Sequence, residues 1–262
     1  MNKLSCPNCQ EELEFIGKKY CCPCCEREWN EIILKNREFY DPSFIGDLNT
    51  ILAQEYKVIE DLLHSKQIYG IVFQVKDLYE LIIRIPVLIV ASFLIKEEQE
   101  LKAKEFIFYL MSKPLSLGDW RSLLNSAKDV VEKYDSIPVE IKHLIACVRK
   151  LVNSDRNGDI VYWRNTTIAH GAAKQLSDSE LYDDVASKLA ELTKFFSQNR
   201  ALFQAIKFVD GKEVELEGAL HKTSWTGRLF LVINSNKYSL YPFFDLRSEG
   251  IYLFDKIGRA HV

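Results

Sequence analysis

Apolar side chains recur at three- and four-residue spacing through most of the chain between residues 48 and 203. This is the spacing of one face of an α-helix. It predicts helices over 48–63, 68–95, 98–111, 116–134 and 139–152, a further helix near 160–170, and a last one over 176–203. Pro86 lies inside the second of these, where we expect a kink or a break. Several helices joined by short connections predict an antiparallel bundle.

After residue 203 the pattern changes to short apolar runs separated by turn residues. Asp210-Gly211, a dipeptide typical of hairpins, stands between the runs 205–209 and 212–216. The runs 229–233 and 237–241 flank a second turn, and 251–254 forms another run. We expect a small β-rich module over 204–256 that has a structural or partner-binding role. The fold class is therefore mainly α, with a β-rich module at the C-terminal end.

The composition limits the classes of partner. The chain has 262 residues, 47% of them hydrophobic, and a formal net charge of −3. A net charge so close to zero argues against binding of nucleic acid by overall charge. RNA binding would need a local patch of basic residues. The most apolar run, 81–95, contains Arg84 and is shorter than the roughly 20 residues of a membrane helix. With no secretion signal at Met1, we expect a cytoplasmic protein without a membrane partner.

Six of the seven cysteines lie before residue 26, five of them in two Cys-Pro-x-Cys segments and the sixth, Cys21, immediately before the second segment. Clustered cysteines in a chain without a secretion signal favour metal binding over disulfides. Four thiolates are the ligand set that zinc prefers. We assign the ligands as the first and last cysteine of each segment: Cys6, Cys9, Cys22 and Cys25. Cys21 and Cys24 have the same spacing but lack the matching proline, and they stay open as the alternative second pair.

These paired knuckles resemble the zinc ribbon family over residues 1–30. The resemblance implies a structural Zn²⁺. About 30 residues cannot build an adequate core without a metal, so we favour a structural clip over a surface that contacts nucleic acid or protein. Residues 31–47, broken at Asp41-Pro42-Ser43, would link the ribbon to the bundle.

The densest group of catalysis-capable residues lies at 162–171, where Arg164-Asn165 precedes His170. A histidine with a pKa near 6.5 can exchange a proton with a ribose hydroxyl or a leaving oxygen. An arginine stays charged and can hold a phosphate, and Asn165 could orient either group. In the structural alternative, Arg164 pairs with a carboxylate and His170 caps or packs in the bundle.

Arg164-Asn165 followed by His170 resembles the HEPN family, and 48–203 is compatible with the helical bundle of that family. The resemblance implies a metal-independent endoribonuclease that leaves 2′,3′-cyclic phosphates, acts as a homodimer on RNA, and serves as a toxin or in antiviral defence. Two residues six positions apart on a helix are separated by about 240° of rotation around its axis and ~9 Å of rise along it. One copy therefore cannot place both side chains on one face, whereas two copies around a twofold axis can.

Two other functions stay open: a non-catalytic module for dimerisation or for sensing nucleotide or RNA, and an adaptor that binds a protein partner through the ribbon or the β module. The last six residues, 257–262, match the in-frame translation of a common sequencing adapter. We expect this tail to be non-native and the native chain to continue beyond Lys256, so that the β module is truncated.

Overall fold

The computed structural model describes residues 5–6, 9–16, 19–26, 28–29, 39–95, 101–153, 159–168, 178–211, 227–240, 242–247 and 250–253. Over these ranges the chain is mainly helical, with eight helices and eight strands in two sheets. The helices are α1 (Thr50–His64), α2 (Ile68–Leu94), α3 (Leu101–Ser112), α4 (Leu117–Val131), α5 (Val139–Val152), α6 (Ile160–Trp163), α7 (Asp178–Gln198) and α8 (Arg200–Ala205). A 3-10 turn spans Pro42–Gly46 and a π-helical segment spans Arg164–Ile168.

Helix α2 is the most apolar element, as the sequence predicted, and every residue from 81 to 94 is buried. It continues through Pro86 without ending there, so the possible break is not found. Among the described residues, no helix combines the length and the apolarity that crossing a bilayer requires.

The strands form two separate antiparallel sheets. The first, at the N-terminus, has the order β1 (Glu14–Ile16), β2 (Lys19–Cys21) and β3 (Glu28–Trp29). The second contains β4 (Lys207–Gly211), β5 (Gly227–Ile233), β6 (Asn236–Ser239), β7 (Phe244–Arg247) and β8 (Gly250–Leu253). Its order is β4-β5-β7-β8, and β6 also pairs with β5.

The chain divides into two compact units, each drawn from separated segments. The first comprises Met1–Leu48, Leu52–Leu78 and Tyr162–Arg200. The second comprises Asn49–Ile51, Tyr79–Val161 and Ala201–Val262. The domain boundaries at residues 30, 47 and 203 stay a prediction.

The first unit has an aromatic core. Tyr40 stacks on Tyr56 with ring centroids 4.6 Å apart, and Phe196 meets Tyr56 edge-on at 5.6 Å. The Tyr40 hydroxyl donates a hydrogen bond to the Tyr56 carbonyl at 3.2 Å. Phe44, on the 3-10 turn, is buried as well. Residues 39–47, expected to belong to the linker, thus place two aromatic side chains in this core.

In the second unit, the C-terminal sheet packs against the end of α2. The Ser92 hydroxyl donates to the Leu240 carbonyl at 3.0 Å, and the rings of Phe93 and Tyr238 lie 5.1 Å apart. Deeper in the unit, the buried Arg84 places its guanidinium over the Trp120 ring at 5.1 Å. This contact and an ion pair between the Arg84 Nη1 and the Glu80 carboxylate at 3.5 Å explain how a charged residue is buried in so apolar a helix.

One of the expected turns is wrong. Asp210 and Gly211 lie in strand β4, where they pair with Leu229 and Arg228 of β5. The run 212–216 lies outside the described residues. The second turn is found as expected, because Asn234 and Ser235 connect β5 to β6 with φ values of 48° and 67°. Two successive positive φ values suit a tight hairpin, since they match the twist of the strands.

Candidate functional site

The structure brings four cysteine thiols together at the N-terminus. The Sγ atoms of Cys6, Cys9, Cys22 and Cys25 all lie within 4.8 Å of one another. Cys6 and Cys25 are 3.6 Å apart, and Cys9 and Cys22 are 3.3 Å apart. Four sulfurs at 2.3 Å around one tetrahedral ion would be separated by about 3.8 Å, so the cluster has the right size for a metal.

Each pair of thiols is carried by the same backbone turn. The Gln10 N–H donates to the Cys6 carbonyl at 2.9 Å, and the Glu26 N–H donates to the Cys22 carbonyl at 3.0 Å. Both Gln10 and Glu26 have positive φ, 68° and 58°. The antiparallel pairing of β1 with β2 brings the two turns together. The repeated sequence pattern therefore corresponds to a repeated structure.

The alternative second pair lies outside the cluster. Cys21 is in strand β2, opposite Glu14, and Cys24 is exposed at the tip of its turn. The Cys25 N–H instead points at the Cys22 Sγ, 3.5 Å away. Of the two registers that the spacing allowed, the structure brings Cys22 and Cys25 to Cys6 and Cys9.

Contacts within the cluster shift the pKa values of two of its thiols in opposite directions. Burial alone would raise the pKa of Cys22, but the Cys25 N–H and the Cys9 thiol lower it to about 7. The Glu11 backbone acts to lower the pKa of Cys9, yet the hydrogen bond with Cys22 and burial raise it well above its ordinary range. Metals bind the thiolate, so a bound cation would displace the protons of these thiols.

Arg164 and Asn165 begin the π-helical segment that follows α6. Both side chains are exposed, and the Arg164 Nη1 donates to the Asn165 Oδ1 at 2.9 Å. Among the residues whose side chains the structure describes, no carboxylate forms a salt bridge with Arg164. The structural alternative, an ion pair at Arg164, is not found among those side chains. His170 lies outside the described residues, so the convergence of Arg164, Asn165 and His170 stays a prediction.

The π-helical segment has a local cause in its two threonines. β-Branched residues are weak helix formers, and a threonine hydroxyl that bonds back to the preceding turn bends a helix. The Thr166 hydroxyl donates to the Tyr162 carbonyl at 2.9 Å and lies 3.2 Å from that of Trp163. π-Helical turns occur often at functional sites, because the wider turn changes the direction of its side chains.

One acidic residue of α7 contacts both Thr167 in this segment and Trp163, the residue immediately before the segment. The Trp163 Nε1 donates to the Asp184 Oδ2 at 2.6 Å, and the Thr167 hydroxyl donates to the same oxygen at 3.0 Å. Asp183, Asp184 and Lys188 are charged residues of α7, and charged side chains on a helix mostly face solvent. Asp183 is exposed, but Asp184 is half-buried, and Lys188 is buried and paired with Glu191.

The partial burial of Asp184 and the burial of Lys188 could have been predicted from the sequence. Asp184 and Lys188 are four residues apart and flank the apolar positions Leu181, Val185 and Leu192. Residues so close to an apolar stripe lie at its border rather than on the opposite face.

Comparisons of the chain with protein-family models, with curated proteins and with solved structures found no match. The candidate sites therefore depend on geometry and chemistry alone.

Proposed function

We propose that the chain is a metal-independent endoribonuclease of HEPN type, with Arg164, Asn165 and His170 as its catalytic residues and a structural zinc ion in the N-terminal ribbon. The observation that supports this function is the exposed Arg164–Asn165 pair on its π-helical segment. An exposed guanidinium that has no carboxylate partner among the side chains that the structure describes is available for a phosphate.

The chemistry follows from the residue types. His170 would take a proton from a ribose 2′-hydroxyl, whose oxygen attacks the adjacent phosphorus. The bond from phosphorus to the 5′-oxygen breaks, and a second imidazole would protonate that leaving oxygen. Arg164 would stabilise the charge that develops on the phosphate oxygens. The products are a 2′,3′-cyclic phosphate and a 5′-hydroxyl, and no metal takes part.

This mechanism requires a homodimer. One copy cannot present Arg164 and His170 on a single helix face, whereas two copies related by a twofold axis would supply two imidazoles to one cleft.

The zinc proposal is supported by the four-thiol cluster. An all-sulfur ligand set suits zinc or iron and excludes calcium and magnesium, which prefer oxygen. With every ligand supplied by the protein, such a site is closed and structural. Elemental analysis of protein purified without added metal should give one zinc per chain. One iron per chain would reject zinc.

RNA cleavage tests the nuclease. The zinc-loaded protein should cleave RNA without Mg²⁺, with EDTA added just before the substrate. Arg164→Ala and His170→Ala should each lower the rate at least a hundredfold. His143→Ala removes an exposed histidine of α5 and serves as the control. A single 2′-deoxy nucleotide at the cleavage site should block the reaction. Equal rates for the wild type and all three variants would reject the site.

A second candidate function is protein binding through the ribbon. Phe15 and Ile16, on strand β1, are 61% and 59% exposed. As consecutive strand residues they point to opposite faces of the sheet, so each face offers a partner one exposed apolar side chain. If this function is correct, Phe15→Ser should abolish capture of a partner while RNA cleavage is absent in the wild type.

A further inference from the structure

We infer that Asp184 is a positioning residue that holds the π-helical segment so that Arg164 and Asn165 face the substrate. This inference rests on the proposed nuclease function for its catalytic meaning. It assigns a role to a carboxylate that does not touch the reacting groups.

The geometry places the two hydrogen bonds on either side of the exposed pair. Trp163 immediately precedes Arg164, and Thr167 follows the pair after one further residue. Both donate to the same atom, Asp184 Oδ2, at 2.6 Å and 3.0 Å. Residues 164–166 are thus held between two anchored side chains, and the anchor belongs to a different helix, α7.

The anchor points themselves are fixed by burial. Trp163 is 4% exposed and Thr167 is 5% exposed, while Arg164 and Asn165 are exposed. A π-helical turn has poorer geometry than an α-helical one and needs support from its surroundings. Buried donors that meet one acceptor supply that support, since leaving either donor unpaired would be costly.

Loss of the Asp184 carboxylate should change the direction in which the Arg164 side chain points. A displacement of about 1 Å in a catalytic group can lower a rate a hundredfold while ground-state binding changes less. Asp184→Ala should therefore lower kcat tenfold to a hundredfold with KM changed less than threefold. Asp184→Asn keeps an oxygen acceptor and should restore most of the rate. Asp183→Asn removes the same charge at the neighbouring exposed position and should have no effect.

Two measurements test the anchor without relying on catalysis. The rate at which phenylglyoxal modifies Arg164, read by peptide mapping, reports the exposure of the guanidinium. The indole N–H resonance of Trp163 reports its hydrogen bond. Asp184→Ala and Thr167→Val should change the modification rate, and Asp184→Ala should shift the indole resonance. Asp183→Asn should change neither. Thr167→Val removes only one of the two donors, and it replaces Asp184→Ala as the test variant if Asp184→Ala does not fold.

The outcomes separate this inference from the function it deepens. If the wild type does not cleave RNA, the nuclease is rejected, and the two measurements still decide whether Asp184 sets the direction of Arg164. If the wild type cleaves RNA while the Asp184 and Thr167 variants leave Arg164 modification, the indole resonance and kcat unchanged, the inference is overturned.

Discussion

Cys24 and Cys25 are adjacent in the chain, yet their side chains have different surroundings. The Cys25 Sγ lies 3.6 Å from that of Cys6, whereas Cys24 is exposed. Sequence spacing predicted two knuckles but left two registers open, since Cys21 and Cys24 are also three positions apart. The proline that matches the first segment favoured Cys22 and Cys25, and the strand pairing that puts Cys21 opposite Glu14 agrees with that choice.

We predict that Cys25→Ser lowers bound zinc from one ion per chain to a small fraction, because it removes one of four thiolates. Cys24→Ser is the matched control and should keep the full amount. Elemental analysis after desalting measures both. A Cys24→Ser protein that loses zinc as Cys25→Ser does would contradict the assignment.

Helix α4 is stabilised at its N-terminus by side-chain capping. Ser116 and Asp119 form a reciprocal cap, in which the Asp119 N–H donates to the serine hydroxyl at 3.2 Å and the Ser116 N–H donates to the carboxylate at 2.9 Å. Lys113 and Tyr109 also contact this carboxylate, each at 2.9 Å. The cap satisfies N–H groups that the first turn leaves without partners.

Ser116→Ala should lower the free energy of unfolding by about 1 kcal/mol, because one N–H group of the first turn loses its acceptor. Urea denaturation at neutral pH measures the change. Ser126→Ala, at an exposed interior position of the same helix, should be neutral or slightly stabilising. An equal loss in both variants would mean that the cap is not the cause.

The same carboxylate predicts a pH dependence. Lys113 first, and then Ser116, hold the pKa of Asp119 well below its unfolded value of 3.8. A lowered pKa in the folded state stabilises the protein above pH 3.8, and this contribution is lost as the pH falls below that value. The difference in unfolding free energy between the wild type and Asp119→Asn should therefore be largest near neutrality and shrink towards pH 2. A difference that grows on acidification would contradict this assignment.

The periodicity of apolar residues predicted most helices of the fold, because burial of one face is a local property of the sequence. It did not predict the π-helical segment, where the Thr166 hydroxyl donates to the Tyr162 carbonyl and the Thr167 hydroxyl donates to Asp184 of α7. Nor did it predict that Asp210-Gly211 continues a strand, since the pairing of β4 with β5 joins segments some twenty residues apart. The contact between Trp163 and Asp184 was missed for the same reason.

Taken as a whole, the chain stabilises its parts in different ways. The described helices bury long apolar faces. This burial stabilises the aromatic core of the first unit and the end of α2 without a bound ion. In the N-terminal sheet and its two turns, by contrast, the described apolar residues that are buried are Cys6, Leu13 and Cys22, two of them candidate ligands. So small a core cannot offset the entropy of ordering the chain.

We therefore predict that a chelator unfolds the ribbon and leaves the helices intact. Hydrogen exchange should show lost protection at backbone amides of Cys6, Gln10 and Glu26, while the amides of 81–94 stay protected. Far-ultraviolet circular dichroism should change little. Loss of protection along α2 on chelation would show that the metal supports more than the ribbon.

The two positive φ values in the turns that carry the four clustered cysteines have a consequence for protein engineering. Gln10 and Glu26 occupy a left-handed conformation that costs a residue with a Cβ roughly 1 kcal/mol relative to glycine. Glycine is usually a destabilising replacement, but Gln10→Gly and Glu26→Gly should here slow the loss of zinc to a competing chelator. Gln10→Ala keeps the Cβ and should leave the rate of zinc loss unchanged. The variant that holds zinc most tightly would therefore have fewer side chains than the natural sequence.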